Sequence, residues 1–82
     1  MSREIRGIPL WLLREYLVEL GGKAESDDSV AGDGWRVDLV QIEDYTIGSL
    51  SVGQVRLEFS GEDDAVAGIQ ELLEPKLLRA GG

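Results

Sequence analysis

Apolar residues recur at every third or fourth position in two stretches of the chain, and this spacing predicts two amphipathic helices. The first predicted helix spans residues 9–20. Pro9 suits its first turn, because proline lacks the N–H group that would have no partner there. Two glycines follow Leu20 and end the helix, since glycine readily takes the left-handed conformation of a helix cap.

The second predicted helix spans residues 62–74 and carries its apolar residues on one stripe. That stripe consists of Val66, Ile69 and Leu73. Ser60 and Asp63 have the spacing of a capping box, with Asp in the place of the usual Glu. Pro75 either ends this helix or begins a further turn, because proline cannot donate the backbone hydrogen bond of a helix interior.

Before and between the helices, apolar and polar residues alternate, as is typical of strands with one buried face. The predicted strands lie near residues 2–6, near 23–26, within 34–45, at 47–52 and at 54–59. A turn near Gly53 is expected to join the last two. The alternation slips at Val40, which predicts either a bulge there or a strand buried on both faces. The rest of the stretch from Gly21 to Gly34 is predicted to be a glycine-rich, acidic, mobile loop.

These elements predict a single α+β domain over residues 1–82, in the order strand, helix, up to four strands, helix. We expect an antiparallel sheet of three to five strands with both helices on one face. The clean alternation in residues 54–60 excludes an all-helical chain. The predicted core joins the apolar faces of sheet and helices: Leu13, Leu17, Leu20, Trp35, Val37, Leu39, Val55, Leu57, Phe59, Val66, Ile69 and Leu73.

The formal net charge of −8, from 16 acidic and 8 basic residues, limits the choice of partner. Such a chain repels phosphate backbones, so nucleic acid is not expected and a basic protein partner fits better. No stretch approaches the ~20 apolar residues of a membrane span. Charged residues interrupt the apolar N-terminal run and no small-residue cleavage site follows, so we predict no signal peptide and a cytoplasmic protein.

The side chains offer little for catalysis. The chain has no cysteine and no histidine, which removes thiolate chemistry, disulfides and the commonest general base. The acidic pairs Glu43–Asp44 and Asp63–Asp64 are sequence neighbours, and neighbours usually do not converge on one site as two catalytic carboxylates must. The acids in residues 25–33 lack the spacing of a calcium loop. We therefore predict no enzyme, no cofactor and no metal site.

Trp11 and Val18 form a candidate interface, because both fall on the polar side of the first predicted helix. They are seven positions apart and therefore stacked on one face. Contiguous exposed apolar area often marks an interface, so we predict a surface for self-association, such as a homodimer, or for a protein partner. The alternative is that a loop or the C-terminal segment covers them.

The chain ends in Gly81 and Gly82, and this tail has two interpretations. A free Gly-Gly end is the reactive end of ubiquitin-like and sulfur-carrier proteins, in which Gly82 would be adenylated and then thiolated or conjugated. In the other interpretation, Gly81 caps a helix and the last residue is frayed. Sulfur carriers open with a β-hairpin before their main helix, whereas here at most one strand precedes it. The order of elements therefore favours the second interpretation.

Three segments, GWRVDLV, IGSLSVGQVRLEFSG and LLEPKLLRAGG, carry a resemblance to a known family. In this order they resemble the C-terminal domain attached to some bacterial proteins related to the small subunit of molybdopterin synthase (MoaD-related proteins). The resemblance covers nearly the whole chain and implies the order of a TATA-box-binding-protein-like fold: strand, helix, four strands, helix. A sulfur-carrier domain precedes this domain in such proteins, so the resemblance implies a stand-alone version of an accessory domain.

The resemblance does not imply DNA binding, because the expected outward face of the sheet is of mixed charge and not a basic saddle. That face should carry Arg36, Asp38, Gln54, Arg56 and Glu58. Two hypotheses follow for function. The first is a small non-catalytic accessory or interaction module, linked to molybdopterin or sulfur-transfer machinery and acting through Trp11 and Val18. The second is a sulfur-carrier-like protein activated at Gly82.

Overall fold

The computed structural model describes residues 1–79, which form five strands and two helices in the predicted order. The elements are β1 Ser2–Arg6, α1 Leu10–Glu19, β2 Lys23–Ser26, β3 Ser29–Gly32, β4 Trp35–Ile47, β5 Leu50–Gly61 and α2 Asp63–Arg79. β2 coincides with the strand predicted near residues 23–26, whereas β3 lies in the stretch predicted as a loop. Neither described helix is both long enough and apolar enough to cross a membrane.

The strands form one sheet in the order β1-β5-β4-β3-β2, and every neighbouring pair is antiparallel. The chain crosses from one edge of the sheet to the other through α1 and then returns strand by strand to β5, beside β1. The buried side chains of sheet and helices form one cluster between them. The predicted α+β class, with two helices on one face of an antiparallel sheet, is confirmed.

The core consists of cross-strand neighbours that bury their side chains beneath the helices. Leu39 pairs with Leu57, and Ile5 pairs with Val55. Every residue of the predicted core belongs to the buried cluster or packs against it. Four further buried residues complete it: Ile5, Ile8, Val30 and Leu77.

Glycine is needed where the chain passes the indole ring of Trp35. A β-carbon on Gly32 would overlap that ring, and one on Gly22 would lie 2.6 Å from it. Real β-carbons essentially never come so close, so both glycines leave room for the indole to pack on the core. Close packing therefore gives a reason for two glycines that the sequence pattern assigns to a helix end and to a mobile loop.

The turn predicted near Gly53 is wrong. Gly48 and Ser49 join β4 to β5, and the residues that flank them, Ile47 and Leu50, are paired. The φ angle of Gly48 is 59°, in the positive range that two-residue hairpin turns need. β5 therefore runs through Gly53 as one continuous strand.

The irregularity predicted at Val40 lies further along β4. The strand stays in register with β5 through Ile42, and the register shifts between Ile42 and Tyr45. The two residues in between, Glu43 and Asp44, form a bulge. Val40 is out of phase with the buried residues because it lies on the face of the sheet away from the helices, where it is 37% exposed.

The second helix differs from its prediction at its start, and at Pro75 it agrees with the alternative of a further turn. Ser60 belongs to β5, so the predicted capping box does not form. α2 begins after Glu62, whose backbone N–H donates to the Gly34 carbonyl at 2.8 Å. Pro75 lies inside the helix, which continues to Arg79. The extension buries Leu77 against the core, and this burial offsets the cost of the backbone hydrogen bond that Pro75 cannot make.

Candidate interaction surfaces

One face of α1 lies away from the core and holds the interface predicted from the sequence. Trp11 is 57% exposed and Val18 is 40% exposed, whereas Leu13 and Leu17 of the same helix have no exposed surface. Pro9 begins the helix at its N-cap position, with its carbonyl accepting the first helical hydrogen bonds. The described part of the chain thus leaves both predicted residues open to solvent.

Two charged residues lie between Trp11 and Val18 on this face. Glu15 is exposed, and Arg14 is half-buried. The Arg14 guanidinium donates through Nη1 to the backbone carbonyl of Asp27 at 2.7 Å, which holds its side chain in place beside α1. Because residues three, four and seven positions apart share a helix face, we call Trp11, Arg14, Glu15 and Val18 the α1 surface.

α2 presents two further apolar residues to solvent. Leu72 is 55% exposed and Leu78 is 71% exposed. Where the helices meet, Lys76 Nζ lies 2.8 Å from Glu19 Oε1 and 5.4 Å from the centre of the Tyr16 ring. These contacts bind α2 to α1 and leave the two leucines outside the junction.

The face of the sheet away from the helices, the open face, carries charges of both signs in contact with one another. Its ion pairs are Arg36–Glu25 at 2.7 Å, Arg36–Asp38 at 3.3 Å, Arg56–Glu4 at 3.7 Å and Arg56–Glu58 at 3.8 Å. Exposed pairs of this kind contribute only ~0–1 kcal/mol each to stability. The open face is therefore the mixed surface that the sequence predicts.

β4 and β5 extend past the other strands as a two-stranded hairpin, which we call the β-arm (residues 42–52). β3 pairs with β4 only as far as Asp38, and β1 pairs with β5 only from Gln54 onward. The tip of the β-arm is apolar, with Ile47 60% exposed and Leu50 69% exposed. An apolar hairpin tip in solvent is a second candidate interaction surface.

The two faces of the β-arm differ in character. Cross-strand partners place their side chains on the same face of a sheet. The open face of the β-arm therefore carries only apolar and aromatic residues: Ile42, Tyr45, Ile47, Leu50 and Val52. The opposite face is polar, and there the Ser51 hydroxyl donates to the Asp44 carboxylate at 2.9 Å.

Arg6 links the β-arm to the sheet. The central guanidinium carbon of Arg6 lies 3.6 Å from the centre of the Tyr45 ring, a cation–π distance. Arg6 Nε also donates to Gln54 Oε1 at 3.0 Å. Arg6, the last residue of β1, thus contacts the base of the β-arm on the open face of the sheet.

The acidic groups that the sequence singles out lie on different elements of the structure. Within residues 1–79, no group of three or more Asp, Glu, His or Cys residues is arranged to hold a metal ion. Glu25, from the acidic stretch, pairs with Arg36. Asp63 and Asp64 lie in the first turn of α2, where negative charge is favourable next to the positive end of the helix dipole.

The protein family described as "Archaeal MoaD-like protein" matches residues 1–82. The chain belongs to the archaeal MoaD-like family. No curated protein matches the chain. Membership confirms the MoaD-related part of the resemblance and places the chain among small proteins related to molybdopterin synthesis and sulfur carriers. The finer part of the resemblance, to a C-terminal accessory domain of bacterial proteins that here stands alone, stays a prediction.

Gly81 and Gly82, the candidate activated tail of this MoaD-like chain, lie outside the described residues. The last described residue, Arg79, is the final residue of α2. The two interpretations of the tail, an activated end and a capped helix, therefore both stay predictions.

The β-arm is the surface of this MoaD-like chain that sequence reasoning missed. The signal for it is the symmetry of the apolar residues Tyr45 and Ile47 with Leu50 and Val52 about the pair Gly48–Ser49. Such symmetry is typical of a hairpin with a two-residue turn. Neither Asn-Gly nor Asp-Gly marks the turn, so Gly53 competes with Gly48 for the turn position.

Proposed function

We propose that this archaeal MoaD-like chain is a non-catalytic accessory module of molybdopterin or sulfur-transfer machinery. It acts by binding protein at the α1 surface, where two copies form a homodimer. The observation that carries the proposal is the exposure of Trp11 and Val18, 57% and 40%, on one face of α1. Burying a fully exposed apolar side chain of this size contributes about 1.5–3 kcal/mol, and the surface that Trp11 and Val18 still expose provides a part of that gain in each copy.

The order of the elements supports an accessory role over a carrier role. Sulfur carriers open with a β-hairpin and reach their main helix afterwards, whereas in the described part of this chain α1 follows the single strand β1. The absence of cysteine and histidine from the sequence supports a non-catalytic role. The bacterial MoaD-related proteins that the sequence resembles carry such a domain after a carrier domain.

The charges of the α1 surface support a second copy as the partner. A twofold axis through the middle of the surface, with the two helices antiparallel, places Trp11 of one copy against Val18 of the other. The same axis places Arg14 of each copy against Glu15 of the other, so the charges are complementary. A twofold interface must be self-complementary in this way.

The test is the molecular mass in solution of a variant carrying Trp11→Glu and Val18→Glu. We expect the unmodified chain to run at twice its monomer mass of 9.0 kDa and the variant to run as a monomer. The variant should retain its circular dichroism, because both side chains are exposed. The matched control, Leu72→Glu with Leu78→Glu on α2, should leave the dimer intact. Monomeric unmodified protein, or a dimer that survives the Trp11 and Val18 changes, would reject this surface.

A charge exchange tests the twofold arrangement itself. Arg14→Glu alone should weaken the dimer, because it places carboxylates opposite each other across the axis. Adding Glu15→Arg to the same chain should restore the dimer. If the Trp11 and Val18 changes dissolve the dimer but the charge exchange has no effect, the surface is correct and the antiparallel arrangement is wrong.

The second candidate function is a sulfur-carrier-like protein activated at Gly82. Membership of the MoaD-like family in a chain that ends in Gly81–Gly82 favours it. The test is the intact mass of the protein isolated from its own cells. Sulfur in place of a carboxylate oxygen, or linkage to another protein through Gly82, would establish the carrier function and displace the accessory role. An unmodified carboxylate, or a trimmed tail, would support the accessory role.

A further inference from the structure

We infer that the outer edge of β4 in the β-arm binds an extended segment of a partner protein in which basic and apolar residues alternate, and that this segment joins the sheet as an added strand. The binding surface is distinct from the α1 surface. The inference deepens the proposed function, since both assign protein partners, but it depends on different residues.

The outer edge of β4 is open along the β-arm. β3 pairs with β4 no further than Asp38, and the Leu39 N–H then donates to the Asp28 carbonyl at 2.8 Å. Beyond that bond, no backbone group within residues 1–79 is hydrogen-bonded to this edge. An unpaired strand edge is a template for a further strand.

The hydrogen-bond pattern identifies the groups that remain free. In an antiparallel strand, residues two positions apart point their N–H and C=O groups to the same side. The N–H of Leu39 points outward, so the N–H and C=O of Gln41 point outward too. At the tip, Ile47 and Leu50 close the two-residue turn and bond to each other. Thr46, one residue earlier, therefore points its backbone groups outward.

The side chains along this edge specify the chemistry of the added strand. Successive residues of a strand point to opposite faces of the sheet, and the bulge at Glu43 and Asp44 adds one residue to this alternation, so both acids lie between the open-face residues Ile42 and Tyr45. On the polar face of the β-arm, an added strand meets Asp44 and its exposed neighbour Glu43. On the open face it meets Ile42, Tyr45 and Ile47. Basic side chains therefore suit the first face and apolar side chains the second.

Charge excludes a second copy of this chain as the occupant. A twofold pairing of β4 with β4, centred between Gln41 and Thr46, would set the Glu43–Asp44 pairs of the two copies against each other. Like charges directly opposite on neighbouring strands are destabilising. The net charge of −8 on each copy adds long-range repulsion. A basic partner instead attracts the Glu43–Asp44 pair at close range and the negatively charged chain at long range.

The direct test is a titration of the isotope-labelled chain with a heptapeptide in which lysine alternates with valine, followed by amide NMR shifts. We expect the largest shifts in residues 41–47 and slower hydrogen exchange at the amides of Gln41 and Thr46. A peptide in which glutamate replaces lysine is the matched control and should cause no shifts. No shifts with the lysine peptide at millimolar concentration, or shifts centred on another surface, would overturn the assignment.

Two proline variants separate edge pairing from simple charge attraction. Thr46→Pro removes an outward N–H without touching the β4–β5 ladder and should weaken peptide binding at least about tenfold. Ser51→Pro is the matched control, since it removes the corresponding N–H on the other edge of the same hairpin. It should bind as Ser51→Ala does, because both changes remove the hydroxyl that donates to Asp44. Equal binding by both proline variants would show that the strand edge is not used.

A charge variant separates partner binding from protection against self-pairing. Glu43→Lys with Asp44→Lys should weaken binding of the lysine peptide by about tenfold. If this variant self-associates yet still binds the peptide, the acids serve only to keep the edge from pairing and the assignment fails. The Trp11→Glu, Val18→Glu variant should bind the peptide as the unmodified chain does. Loss of the dimer and loss of peptide binding are therefore separate results, and each tests one proposal.

Discussion

β4 and β5 are paired along their whole length, yet the paired side chains are buried in the body of the sheet and exposed in the β-arm. In the body of the sheet, Leu39 and Leu57 are partners and are 2% and 0% exposed. In the β-arm, Ile47 and Leu50 are partners and are 60% and 69% exposed. Backbone pairing continues through both regions, so the difference comes from the helices, which cover only the body.

This comparison separates what stabilises a strand from what it can bind. The body gains its stability from apolar area removed from water. The β-arm buries little, and an isolated two-stranded hairpin is marginal in water. Its order therefore depends on continuity with the body and on the contact between Arg6 and Tyr45, while its apolar face stays available to a partner.

The largest expected effect contrasts two leucines of β5. Leu57→Ala should lower the free energy of unfolding by about 2–5 kcal/mol, because it leaves a cavity under the helices. Leu50→Ala, the same change at the tip of the β-arm, should lower it by less than about 0.5 kcal/mol. Urea unfolding of both variants measures the contrast. Equal losses would mean that the β-arm is part of the core.

A smaller effect contrasts two glycines. Gly32→Ala forces a β-carbon against the Trp35 ring and should cost about 1–3 kcal/mol in thermal or urea unfolding. Gly53→Ala at the base of the β-arm has no atom within 4 Å of the new carbon and should be neutral or slightly stabilising. A neutral Gly32→Ala would show that the Trp35 ring can move aside at no cost.

The smallest effect concerns the link between the two regions. Arg6→Ala removes the cation over Tyr45 and should lower the local opening free energy of the β-arm by about 0.5–1 kcal/mol. Faster hydrogen exchange at the amides of Tyr45 and Val52 reports it. Arg56→Ala, an open-face arginine of the body, is the control and should leave exchange in the β-arm unchanged. The same acceleration in both variants would assign the effect to general charge on the open face.

Most of the fold follows from periodicity, because burial of one face imposes period 2 on strands and period 3.6 on helices. Leu13 and Leu17 in α1, and Val55 and Leu57 in β5, show these periods clearly and are buried. The exposure of Trp11 follows from the same reasoning, since it breaks the period of its helix.

The failures occur where burial does not act. Val40 is an apolar residue on the open face, so the alternation pattern places the bulge too early in β4. Gly53 lies inside β5 and is not in a turn, although glycine is common in turns. Leu77 lies beyond a proline, and only its contact with the core shows that α2 continues. The unpaired edge of β4 depends on where β3 ends, which is a matter of tertiary structure and not of local pattern.

The position of β1 beside β5 has a consequence for biosynthesis. Ile5 pairs with Val55, and the Phe59 N–H donates to the Met1 carbonyl at 2.7 Å. At translation rates of about 5–20 residues per second, β1 leaves the ribosome roughly 3–10 seconds before its partner strand exists. During that interval the charged side chains of Arg3, Glu4 and Arg6 discourage pairing with neighbouring nascent chains. Of the five strands of this sheet, β1 is thus made first and is among the last to find its place.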